Sequence, residues 1–381
     1  MTKPPVCPLS LSAWLGCLLC LAGLFSASPP MTTYPFPTTL AFSQAELTRR
    51  FGVVTVEQDP DPAIHYKLII PLKWKQVTGT RRLVTPQHPF ELRSHFNAQV
   101  PPEAEAKVWV AYVAQEMSPS DWLANYLRGQ HETVLHERRL PQRGGAIPDV
   151  LTKSGAPGHE RISRWLVLKD HARGGGSHMF MVQASTAASN YTTDMANTFF
   201  VLIGNFNVLH PLGWAHAEQL RTLARSLPLK FTTAFPLSWQ LVENPASDEH
   251  FYQCKLLKDR APELGSRISL ALLTGQTEDD VRRLLRDDQA ALAEEGFAFD
   301  PAELRPNPPI GSLDEVLTAI ATQQATDPTQ PVYEHEVLLS RVGPQSWVYA
   351  NRLGPTQDSA PDTWAISRQA FAILLEELQL G

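Results

Sequence analysis

The chain is 381 residues long, 43% hydrophobic and 19% charged, with a formal net charge of −6. That composition is too apolar for a disordered chain, and the length allows two domains, each able to bury its own core. No stretch interleaves clustered Lys/Arg with aromatic residues, so no nucleic-acid-binding face is expected. Three of the four cysteines, Cys7, Cys17 and Cys20, stand near the start. Cys254 is alone in the remainder, which excludes an intramolecular disulfide or a cysteine-based zinc site there and leaves it as a small core residue. Charge is unevenly divided: residues 231–381 carry 11 Lys/Arg against 23 Asp/Glu, and residues 1–230 carry 22 against 16. Halves of opposite sign either face one another or meet different partners.

Residues 1–30 read as a leader. Lys3 provides a positive flank, and residues 9–27 carry no charge. This is the layout of a secretory signal or a membrane anchor, close to the minimum length for a span. Neither a cut after Ala27, with Phe25 three residues upstream in the segment counted from Ser28, nor one after Ser28, with Pro29 following, is a good processing site. Three alternatives stand: a cleaved signal, a retained anchor, or a true start at Met31 with no leader.

Beyond the leader the elements recur in two series. Strands are expected at 52–56 and 66–70, the latter running into Pro71-Leu72-Lys73-Trp74. The same spacing of Pro, Leu and Trp returns 165 residues later as Pro236-Leu237-Ser238-Trp239. A β-branched and aromatic strand at 106–113 precedes a helix at 122–134 capped by Ser118 or Ser120. Its counterpart is a strand at 267–273 followed by a helix at 281–295, with Thr277 and Asp280 as a capping box and Gly296 as terminator. Each series then has a hairpin, 161–169 with 178–184 and 334–340 with 346–351, around turns bearing Gly or Pro. Each closes on a Trp-led helix: 214–227, with Leu220, Leu223, Ala224 and Leu227 at helical spacing, and 364–380. The first series has an extra strand at 198–203. The order predicts an internal duplication with copies at 63–232 and 233–381, in an α+β class built from mainly antiparallel sheets packed with helices.

With Pro71 to Trp74 and residues 214–227 in one copy, and Pro236 to Trp239 and residues 364–380 in the other, the chain resembles the PsbP/Mog/DcrB-like superfamily. The resemblance implies two tandem α/β/α sandwich domains covering most of the chain. Members of that superfamily share a fold without a shared chemistry, so it implies binding or assembly and transfers no functional residue.

No enzyme site is legible. His131 and His136 lie five apart, not the four that places two metal ligands on one helical face, so they read as an exposed helix end. His159, His171 and His178 with Asp170 would form a metal or acid–base cluster only if the hairpin drew them together. Ser154 lacks the glycine two before it that a nucleophile elbow requires. The acidic pairs 279–280, 287–288 and 294–295 share their helix with arginines, as on a solvated face. Trp74 and Trp239 are either core anchors or the lining of a groove. No catalytic residue, metal or cofactor is expected.

The leading expectation is a non-catalytic binding or assembly protein of the cell envelope, exported, periplasmic or membrane-anchored, that meets a protein partner through the groove between its copies. Two alternatives remain: a cytoplasmic chaperone or adaptor of secreted proteins starting at Met31, and a hydrolase or metal-dependent enzyme with a site near the His-bearing hairpin.

Overall fold

The computed structural model of the protein describes residues 33–77, 82–84, 89–141, 145–213, 216–258, 265–300, 303–323 and 330–381. The leader expected at 1–30 lies outside them. Residues 36–381 form one compact unit. It opens with α1 (Gln44–Arg50), where Ser43 and Glu46 make a capping box, and continues with β1 (Phe51–Val56), β2 (Tyr66–Pro71), β3 (Trp74–Gln76), β4 (Arg82–Val84), β5 (Pro89–Ala98) and β6 (Ala104–Val113). Then come α2 (Pro119–Gly129), β7 (Thr133–Leu140), β8 (Ile147–Ser154), β9 (Arg161–His171), β10 (Ser177–Ala187), α3 (Thr193–Gly204) and β11 (Asn207–Val208).

The second half has β12 (Leu220–Arg225), β13 (Phe231–Pro236), β14 (Gln240–Glu243), β15 (Phe251–Leu257), β16 (Arg267–Thr274) and α4 (Glu278–Glu294). It ends with β17 (Arg305–Asn307), β18 (Glu315–Thr322), β19 (Tyr333–Gly343), β20 (Ser346–Pro355), α5 (Pro361–Glu376) and β21 (Gln379–Leu380). No helix among the described residues is long and apolar enough to cross a membrane.

The halves have the same topology. The large sheet runs β3-β5-β6-β10-β9-β8-β7 in the first, with β4 paired on β5, and β14-β15-β16-β20-β19-β18-β17 in the second. A three-stranded sheet accompanies each, β1-β2-β11 and β12-β13-β21. Both large sheets are covered on both faces. In the first, Met179 and Met181 of β10 pack under α2, while the intervening Phe180 faces Tyr66 of the small sheet and Phe206. In the second, Trp347 and Tyr349 of β20 lie under α4, while Val348 and Ala350 join the cluster with Phe371 and Leu374 of α5. Double coverage explains why the central strands are almost continuously apolar rather than alternating. The outer strands manage their free edges differently: β7 carries Glu137, Arg138 and Arg139, and β17 is three residues long with a central proline.

Sheet therefore dominates more than the sandwich expectation held; two expected elements change type and a third ends early. Residues 216–227 do not form a closing helix, and the Trp214 expected to lead it lies outside the described residues: β12 occupies Leu220–Arg225 and pairs with β13, and of the leucines at helical spacing only Leu223 is buried. The strand expected at 198–203 is the buried core of α3, which Thr192 caps by accepting from the Met195 amide. A short apolar run does not separate a buried strand from a buried helix by its period. The helix expected to reach 134 stops at Gly129. His131, with φ of 56°, ends it in the left-handed region, and β7 follows, so His131 and His136 mark a turn and a strand, not a helix end. The caps at Ser118 and Thr277, the Gly296 terminator and both hairpins are present as expected.

The two tryptophans of the Pro-Leu-x-Trp turns differ in burial. Trp239 is 1% exposed within the second core, beside Phe231, Phe235 and Leu270, whereas Trp74 is half-buried on the short strand β3. Trp239→Ala is expected to cost roughly 3–5 kcal/mol in urea unfolding, as for other fully buried aromatics; Trp74→Ala is expected to cost distinctly less in the same assay.

Candidate functional site

The two halves meet where α2 of the first packs on α5 of the second. Asn125 donates to the Pro361 carbonyl at 2.8 Å and accepts from Gln357 at 2.9 Å. Arg368 pairs with Asp121 at 2.8 Å, and Arg128 pairs with Asp358. Trp364 and Ala365, at the start of α5, are buried in the first half's cluster with Trp122, Leu123 and Trp165. The second half's helix thus completes the first half's core, and the seam is a packed boundary rather than a hinge.

Three clefts open along this seam, of about 430, 560 and 670 Å³. The largest lies where the chain crosses from one half to the other, between Tyr112 and the turn 174–176 on one side and Leu237 and Ser238 on the other, with residues 217–219 between. Tyr112 stands near the end of β6, opposite His178 of β10, and its hydroxyl donates to the Gly175 carbonyl at 3.0 Å. The turn passes so close beneath this ring that a Cβ on Gly176 would stand 2.4 Å from the Tyr112 hydroxyl; φ there is also +78°. The positive φ favours glycine at 176, and any side chain there would displace the Tyr112 ring. Tyr112 is 52% exposed and Leu237 50%.

A buried ionic network supports the cleft from behind. Glu116 is fully buried; its carboxylate accepts from the Lys169 ammonium on β9 and from the Ala217 amide of the connector. His216 Nδ1 stands 3.6 Å away. The Glu116 amide donates to Glu218 at 2.9 Å; the other Glu218 oxygen accepts from the Ser238 amide at 3.1 Å, and Lys258 donates to the Ser238 hydroxyl at 2.7 Å. One path of hydrogen bonds therefore runs from β9, through the connector, to the Pro236–Trp239 turn. Burial pushes the Glu116 carboxyl up, but the neighbouring His216 and Lys169 more than reverse this and hold it below its ordinary value.

Of the residues singled out from sequence, His171 lines the largest cleft, and the others fall elsewhere. Neither Trp74 nor Trp239 lines these three clefts. In both Pro-Leu-x-Trp turns it is the leucine that is presented, Leu72 at 61% and Leu237 at 50% exposed. A leucine placed between a strand end and a tight turn was the available signal. The hairpin brings Asp170 directly opposite His178 and His171 opposite Ser177, but His159 precedes the far end of β9, roughly 30 Å away at the strand rise. Asp170 is occupied by the backbone, accepting from the Leu212 amide at 3.4 Å, and burial raises its carboxyl. Ser154 merely ends β8. Of the acidic pairs on α4, Asp280 bonds Arg283, while Asp288 turns inward and accepts from Tyr349 and Asn351. His335, 3.9 Å from Asp288, is buried; burial brings it to about 4, so it is neutral at pH 7. Cys254 is a core residue.

No protein-family model matches the chain, and no curated protein matches it. Among solved structures it is aligned with the Saccharomyces cerevisiae Ran-binding protein Mog1p at 12% identity and a TM-score of 0.30, over 43% of this chain and 96% of that one. It is also aligned with the immunity protein TplEi of T6SS from Pseudomonas aeruginosa at 9% identity and a TM-score of 0.22, over 83% and 94%. A third alignment, at 10% identity and a TM-score of 0.22, is with a chain of the Tle4–Tli4 complex, over 81% and 97%.

The largest cleft is lined by the Tyr112 ring, Leu237 and glycine backbone together with His171, Glu218, Gln219 and Ser238; the Glu116 carboxylate behind them is committed to Lys169 and the Ala217 amide. Since Glu116 titrates below its ordinary 4.5 in the fold, its contribution to stability is present above that value and is lost as pH falls through the folded pKa. Glu116→Gln, which strands the buried Lys169 charge, is expected to lose roughly 3–5 kcal/mol at neutral pH. Urea unfolding at pH 7 and near pH 3 checks both parts: the gap to the wild-type protein should narrow in acid.

Proposed function

We propose that the protein is a non-catalytic binding protein that engages a protein partner at the seam between two copies of one PsbP/Mog/DcrB-like domain, in the cell envelope. The observation that carries this reading is the pair Tyr112 and Leu237, one from each half, half-exposed on opposite sides of a cleft that a buried ionic network holds open. An aromatic ring and a leucine on a rigid support are suited to anchor a partner surface, because little conformational freedom is lost on binding. The identical strand orders, and the Pro-Leu-x-Trp turn that follows β2 in one half and β13 in the other, support duplication as the origin of the seam. The uncharged run at 9–27 behind Lys3 supports export or anchoring.

A photo-crosslinking residue placed at Leu237 in the native host is expected to give one discrete adduct, against none from a control at Val134, which is equally exposed on the edge strand β7. Tyr112→Ala is expected to weaken the captured complex by about 2 kcal/mol, roughly 30-fold. Equal labelling at Val134, or no adduct at Leu237, overturns the reading. The intact mass in periplasmic, membrane and soluble fractions tests the envelope location: a chain starting near residues 28–31 in the periplasm, or the full chain in membranes, is expected.

A further inference from the structure

The small sheet of the first half gathers three metal-ligating side chains that lie far apart in sequence. Val56 pairs with Tyr66 at the end of the β1–β2 register, so Glu57 and His65, each one residue further, emerge side by side. On the other side of β2, Val208 pairs with Tyr66 and the Leu209 amide donates to the His65 carbonyl at 2.9 Å, which delivers His210 to the same end. One ligand atom from each of Glu57, His65 and His210 lies within 4.8 Å of the others, and the two imidazole centroids are 5.8 Å apart.

We propose that Glu57, His65 and His210 form a binding site for a divalent first-row transition ion, zinc above all. Two imidazoles and one carboxylate select zinc, copper, nickel or cobalt over magnesium and calcium, which prefer all-oxygen sets. Ligand atoms at about 2.0–2.2 Å from zinc stand roughly 3–4 Å from one another, so modest rotations of the exposed Glu57 and His210 close the set. His65 is already oriented. Its Nε2 lies 2.7 Å from the Asp59 carbonyl, which can only accept, so Nε2 carries the proton and Nδ1 keeps the lone pair. A backbone carbonyl bonded to the far nitrogen of a histidine is the usual outer support of a metal ligand. Asp59 is held in turn by Arg93 at 2.5 Å and by the Asp61 amide at 2.8 Å.

The ion would pin a weak point. β11 is two residues long, and the chain beyond His210 runs past Leu212, held by Asp170, to the connector at Ala217. A metal bridging β1, β2 and the segment after β11 ties that connector to the first half. With three protein ligands, the remaining coordination is completed by water. The site stands independently of any partner at the seam.

Isothermal titration of zinc into the full chain, stripped with a chelator and then freed of it, tests this, with cobalt absorption reporting the ligand geometry. The expected result is one equivalent of zinc bound and a raised unfolding temperature. His210→Ala and Glu57→Gln, both at exposed positions, are each expected to weaken binding by about 10-fold or more, whereas His250→Ala, on an exposed turn elsewhere, leaves it unchanged. Failure of the wild-type chain to bind one equivalent, or wild-type affinity in His210→Ala, overturns the proposal.

Discussion

The carboxylate of Glu116 is buried where the first half ends and the second begins, and the arrangement of the seam depends on it. Taking this charge and that of Lys169 out of water is costly, and their attraction repays the cost only because the remaining carboxylate oxygen is also satisfied, by the Ala217 amide. A hydrophobic pair of the same volume would hold the β6–α2 loop to β9 as well. It would not fix the connector, which is drawn to Glu116 through its backbone and extends the same path through Glu218 to Ser238. The pair therefore acts as a positional constraint more than a source of stability, and the largest cleft takes its shape from that constraint.

Two further buried arginines play a comparable part, one in each half. Arg164 on β9 is fully buried against Asp149, donates to the Pro37 carbonyl, and lies between the rings of Phe36 and Phe200. It fastens the segment preceding α1 to the large sheet, with Arg138 adding a bond to the Thr38 carbonyl. Arg352 on β20, also fully buried, takes Glu334, Glu336 and Ser367. It thereby ties the β19–β20 hairpin to α5, and Glu334 also accepts from the Trp364 indole. Because α5 completes the first half's core, this second network reaches across the seam. Arg164 and Arg352 are on non-equivalent strands of the shared topology, so the halves follow one chain path but bury charge at different places in it.

Much of the fold was legible because local signals and tertiary packing agreed. The Ser118 and Thr277 caps, Gly296, the two hairpins and the paired Pro-Leu-x-Trp turns are short-range features, and each formed where its residues pointed. The misread elements are those whose type is decided by strand pairing and tertiary packing rather than by residue spacing. Residues 220–225 carry leucines at helical spacing yet find β13 to pair with. The apolar run 198–203 sits in a helix because it packs against β2, β9 and β10 at once. The site was hardest to read, since its members, Tyr112, Glu116, Lys169, Glu218 and Leu237, are ordinary residue types at no regular spacing. They become a site only when the β9–β10 turn, the connector and the β13–β14 turn converge. The metal-ligating trio is hidden in the same way: Glu57, His65 and His210 match no motif along the chain and meet only through strand register.

The charge asymmetry between the halves bears on what the seam can meet. Were the basic half simply neutralising the acidic one, the ion pairs across the seam would all run from a first-half cation to a second-half anion. Among the described residues they run once each way, Arg128 to Asp358 and Arg368 to Asp121. The α4 helix, rich in carboxylates, spends two of its three arginines on its own acids, Arg282 on Glu278 and Arg283 on Asp280. Pairs of opposite sense cancel in net charge, so these two leave the asymmetry between the halves unchanged. A partner bound across the seam, as proposed, would touch a net-basic half on one side and a net-acidic half on the other. Apolar anchors supply affinity without specifying which way round a partner lies; a polarised rim supplies that choice, and makes the rate of association sensitive to salt.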